Sequence, residues 1–67
     1  MKITIYLKSI DESTGEHKNI VINDLKKGMK HYKYLVKQWK RYKVVSLPIY
    51  ALTVSSDEIY TIMLEHE

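Results

Sequence analysis

Residues 26–43 read KKGMKHYKYLVKQWKRYK, a run with eight cationic and four aromatic side chains and no carboxylate. On a wheel of roughly 100° per residue, Leu25, Met29, Tyr32, Leu35, Val36 and Trp39 share an arc of roughly 80–120°, the apolar stripe of a helix laid on a sheet. Lys26, Lys30, Lys33, Lys37, Lys40 and Arg41 occupy the adjacent arc, with Tyr34 at its margin. The spacing therefore predicts one amphipathic helix over roughly residues 25–41. Gly28 costs about 1 kcal/mol relative to Ala inside a helix, a reason for the regular turns to begin only near Met29.

Outward from this segment, the pattern changes to that of strands. In KITIYLK (2–8), Ile3, Ile5 and Leu7 alternate with Lys2, Thr4, Tyr6 and Lys8, the period-2 signature of a half-buried strand. DESTGE (11–16) is polar, with Gly15 free to take a positive φ, and reads as a hairpin loop. KNIVI (18–22) then returns with Ile20 and Ile22 on the core face, and Asn23 or Asp24 is suited to capping the helix that follows. After the helix, RYKVVSL and PIYALTV are β-branched and aromatic, with Pro48 between them as a break, so they read as one bent strand or two short ones.

The last segment, SSDEIYTIMLEHE, supports two readings. Ser55 and Glu58 form a capping-box pattern, and Ile59, Ile62 and Met63 share a helical face. EIYTIML is also a run of strand formers able to pair back on residues 49–54, and the strand is preferred because a small sheet gains most from another partner. The expected fold is α+β: a single small domain over residues 1–67, ββαββ or ββαβα, with one helix on one face of a mainly antiparallel sheet.

A chain of 67 residues without cysteine can have neither disulfides nor a thiolate metal site, so packing or self-association must stabilise it. The uncharged, β-branched run 44–54 could supply a pairing edge, and a homodimer is expected on that ground. The uncharged stretch Val44–Ser56 is too short to span a bilayer, and residues 1–12 lack the pattern of a signal peptide, so a cytoplasmic protein without membrane partners is expected.

Catalysis finds little support. His17 falls in a loop, His31 on the polar helix side and His66 near the end, with no pair at ligand spacing, and Asp57 and Glu58 would point to opposite faces of a strand. There is no phosphate loop or nucleophile elbow. No catalytic residue, cofactor or metal is expected.

The charge distribution is more informative. Residues 1–24 carry a net −1, residues 25–56 a net +8 and residues 57–67 a net −4. Lysines three and four apart on a helix repel by a few tenths of a kcal/mol per pair, and a solvated face ordinarily interleaves glutamates, which are absent here. Lys26 and Lys27 also stand near the positive end of the helix dipole. Such a surface suits an anionic partner, although a lysine face can also serve solubility alone. The expected function is that of a small non-enzymatic nucleic-acid-binding accessory protein contacting phosphates through Lys26, Lys30, Lys33, Lys37, Lys40 and Arg41, with Tyr34 near a base. Tyr6, outward on the first strand beside Lys8, is a further stacking candidate, against which stands cross-strand packing or a dimer contact. The alternative is an inhibitor or adaptor docking the same helix on an acidic protein. Shortness, richness in lysine and tyrosine, and absence of cysteine give the chain the composition of a phage or plasmid accessory protein.

Overall fold

The computed structural model describes residues 1–23 and 26–65. Two of the expectations above, Leu25 on the apolar stripe and Asp24 as a cap, lie outside the described residues, as does His66. The chain forms β1 (Lys2–Ile10), β2 (His17–Ile22), α1 (Gly28–Arg41), β3 (Val44–Leu47), β4 (Leu52–Ser55) and β5 (Ile59–Glu65). Single 3₁₀ turns, Pro48–Tyr50 and Ser56–Glu58, join the last three strands. This is the expected α+β class, with a helix packed on an antiparallel sheet.

The alternation in β1 has the expected outcome. Ile3 and Ile5 are completely buried, and in the sheet order β2-β1-β5 they form the middle of two inward rows, Ile22–Ile3–Leu64 and Ile20–Ile5–Ile62. Thr4 differs from its expected exposure. It lies on the opposite face but is only 3% exposed, because in the central strand it is flanked by Val21 and Met63. At the hairpin, Gly15 takes φ 73°, and the main-chain carbonyl of Asp11 accepts from the Gly15 N–H at 2.8 Å. The Ser13 hydroxyl and N–H donate to the Asp11 carboxylate at 2.7 and 2.9 Å and hold its pKa below the ordinary value. That contribution to stability is present at neutral pH and lost as pH falls through the depressed pKa.

β1 is irregular beyond Tyr6 on both sides. Tyr6 pairs with Thr61 and Leu7 with Ile59, which leaves Tyr60 as the extra residue of a bulge. On the other side, Nδ1 of His17 donates to the Leu7 carbonyl at 2.7 Å, satisfying a group that the interrupted ladder would have left open. Tyr60 stacks on the His17 ring with centroids 4.5 Å apart.

Two expectations are corrected here. β5 does not pair back on residues 49–54; it adds to the open edge of β1, from Lys2↔Glu65 to Leu7↔Ile59. Strand length gives the reason: β4, paired with β3 from Val44↔Ser55 to Leu47↔Leu52, has only four residues to offer on its other edge, whereas β1 has nine. Pro48 divides β3 from β4, and Ala51 adopts φ 51° after the turn. Within the run 44–54, Val45, Leu47, Leu52 and Val54 are buried in the core, whereas Val44, Ile49 and Tyr50 are exposed.

The second correction is the rotation of the helix. Leu35 is completely buried, and Tyr32, Val36 and Trp39 pack half-buried against the core, but Met29 is 44% exposed. In its place Gly28, His31 and Gln38 turn inward, which rolls the buried face by roughly 50° about the helix axis. The cause is a second wall: α1 packs against β3 as well as β5, and the Gln38 Oε1 accepts the Ser46 N–H of β3 at 2.7 Å. At the other end Gly28 permits a close approach, since a Cβ there would lie 2.8 Å from Sδ of Met1.

Gln38→Ala should strand the partly buried Ser46 N–H at a cost of about 1–3 kcal/mol. Gln38→Glu, which keeps an acceptor, should lose less. Urea unfolding of the two variants checks this: equal midpoints would show that the bond to Ser46 contributes nothing.

Candidate functional site

The roll of α1 changes the setting of its charges. With Leu35 at the centre of the buried face, Lys30, Lys33, Lys37, Lys40 and Arg41 stand on the side of the helix facing away from the core, and all five are exposed. Lys33, Lys37 and Lys40 succeed one another at rises of roughly 6 and 4.5 Å along the axis, about one per turn. Lys40 and Arg41 lie in the last turn, where cations complement the helix dipole, whereas no acid occupies the first turn. Among the described residues the one ion pair is Lys2–Glu65 at 3.3 Å, so none of these five cations has a carboxylate partner there.

Not every expected site residue joins this group. Lys26 precedes the helix, in a turn, and with Lys27, His31, Ile49 and Tyr50 it lines a separate hollow. There the Nδ1 of His31 is buried without a partner among the described residues, and the ring meets Tyr50 edge-on. Tyr34 is 47% exposed, at the margin of the cationic face as expected. Its hydroxyl accepts from Gln38 Nε2 at 2.7 Å, and Gln38 is in turn held by Ser46, so the ring is anchored to the flank beside β3. Tyr6 lies on the face of β1 opposite Ile5, half-buried between Asn19 and Thr61. α1 packs on the Ile5 side, so Tyr6 and the helix cations are on opposite faces of the sheet and do not share a site.

Two residues assigned to the core by periodicity turn out to border the cationic face. Tyr32 and Val36 form the apolar side of an open groove of about 340 Å³ along α1 that is also lined by Lys33, Lys37, Lys40 and Arg41. For Val36 the available signal was its position near the edge of the apolar stripe, roughly 40° from Lys40, whereas Tyr32 lies at the centre of that stripe and gave none. Burial by half, rather than fully, is what lets one side chain contact both the core and the groove.

Among the described residues no three His, Asp or Glu side chains gather as a metal site. Among the same residues no helix is long and apolar enough to cross a membrane. The site is a donor-rich, cationic surface with an apolar margin. No protein-family model, curated protein or solved structure matches the chain.

Proposed function

We propose that the protein is a small, non-enzymatic nucleic-acid-binding accessory protein that engages phosphates through the outward face of α1. The observation that carries this reading is the set Lys30, Lys33, Lys37, Lys40 and Arg41, exposed on one face and without an acid partner among the described residues. Lysines kept three and four apart without interleaved glutamates repel one another, and an evenly charged polyanion removes that cost while releasing counterions.

Oligonucleotide binding followed by fluorescence anisotropy across a salt series tests it. Contact by all five cations should give a log–log slope of roughly −4.5 on duplex DNA or roughly −3.5 on single strands. An absence of salt-dependent binding to any DNA or RNA at micromolar concentration would remove this function.

An acidic protein is the second reading, favoured by the apolar side of the groove at Tyr32 and Val36 and by the exposure of Met29 on the same flank. Binding of an acidic polypeptide with no binding of oligonucleotides would select it.

A further inference from the structure

We infer that the groove along α1 takes single-stranded nucleic acid, seating an unpaired base on Tyr32 and Val36 while neighbouring phosphates meet Lys33, Lys37, Lys40 and Arg41. This rests on the nucleic-acid reading above and narrows it to one class of strand.

The first ground is the composition of the groove. It is lined by four cations and, beside them, by two half-buried apolar side chains, one aromatic and one aliphatic, in a volume of about 340 Å³. That volume falls at the low end of the range of small-ligand pockets, roughly 300–1,000 Å³. Single-strand binding surfaces combine these two components, a charged track for the backbone and an apolar or aromatic platform for the base faces. A duplex offers only half of the match. Its phosphates would meet the lysines, but its base faces are stacked inside the helix, and the apolar side of the groove would be left against sugar or water.

The second ground is what the face lacks for reading a duplex. In the major groove Arg or Lys reads guanine, but adenine is read by Asn or Gln and cytosine by a carboxylate. The lining of the groove along α1 has none of the latter, and Gln38, nearest in the sequence, is already committed to Ser46 and Tyr34.

The third ground separates nucleic acid from peptide. The four cations carry donors and no acceptors, and the Tyr32 hydroxyl is the one side-chain acceptor of the lining. An extended peptide brings several main-chain N–H groups to a surface so poor in acceptors, whereas a phosphodiester chain presents acceptors to donors throughout.

The test uses the unaltered protein and three probes of equal length at matched salt: oligothymidylate, an abasic oligodeoxynucleotide of the same charge, and a duplex. Oligothymidylate should bind roughly five- to a hundredfold more tightly than the abasic strand, the difference that one stacked base supplies, and more tightly than the duplex. In methyl-resolved NMR spectra the Val36 signals should shift with oligothymidylate and not with the abasic strand. Equal affinity for the abasic strand, or preference for the duplex, overturns the base seat while leaving phosphate binding in place. A preference for oligothymidylate with unmoved Val36 signals also overturns it, since the base would then rest elsewhere. Failure of all three probes to bind overturns the nucleic-acid reading itself.

Discussion

Leu35→Ala should remove a large share of the protein's stability, moving its urea midpoint and melting temperature well below the parent's. Leu35 is the one large side chain of the described helix that is completely buried, and it belongs to the same core cluster as Ile3, Ile5, Val45, Ile59 and Ile62. Truncating a buried leucine removes its transfer free energy and leaves a cavity, together about 2–5 kcal/mol. At about 0.05–0.15 kcal/mol per residue, a chain of this length has a total stability of about 3–10 kcal/mol, so the loss takes a large share of it. Circular dichroism during urea and thermal unfolding measures the effect. Met29→Ala provides the contrast: that side chain is 44% exposed, and its truncation should change stability by no more than about 0.5 kcal/mol. The two residues therefore read out the roll of the helix. If Met29→Ala were as damaging as Leu35→Ala, the buried face would be the one that periodicity alone indicates, and the rotation toward β3 would be wrong.

Replacing Lys33, Lys37 and Arg41 together by glutamine should weaken nucleic-acid binding by roughly two to three orders of magnitude near 0.1 M salt. Each phosphate contact contributes a salt exponent of roughly 0.9 on duplex DNA or 0.7 on single strands, so losing three lowers the affinity by roughly 500-fold or 100-fold at that concentration. The slope should flatten by the same roughly 2.7 or 2.1. Losses should be similar across sequences, because phosphates are not read by sequence. Stability should not fall, since all three side chains face water and the like-charge pairs Lys33–Lys37 and Lys37–Arg41, four residues apart, are relieved. A triple variant that binds within a few-fold of the parent with an unchanged slope would show that this face does not contact the polyanion.

The features of this protein that were legible in its residues are those set by neighbours along the chain. Alternation in residues 2–8 identified β1 and the burial of Ile3 and Ile5, Gly15 marked the positive-φ position of the hairpin, and Pro48 marked the break between β3 and β4. The cationic stripe was equally visible, because 3.6-residue periodicity fixes which side chains share a helix face whatever that helix packs on.

What the residues did not determine depends on competition between distant surfaces. β5 has the same strand character whether it pairs with β4 or with β1, and the choice follows from the length of edge each offers, four residues against nine. The helix could rest on the sheet through several neighbouring arcs, and the presence of β3 on one flank, held through Gln38 and Ser46, selected an arc that buries Gly28 and releases Met29. From that roll follow the outward position of Lys33, Lys37 and Lys40, the exposure of Tyr32 and Val36 at the apolar side of the groove, and the anchoring of Tyr34. Tyr6 faces outward as the alternation indicates, and because α1 covers the Ile3 and Ile5 side of the sheet it stands apart from the helix cations. The periodicity of a sequence records which side chains leave water together; which partner covers them is settled by the fit of whole elements, whose energies are summed over residues far apart in the chain.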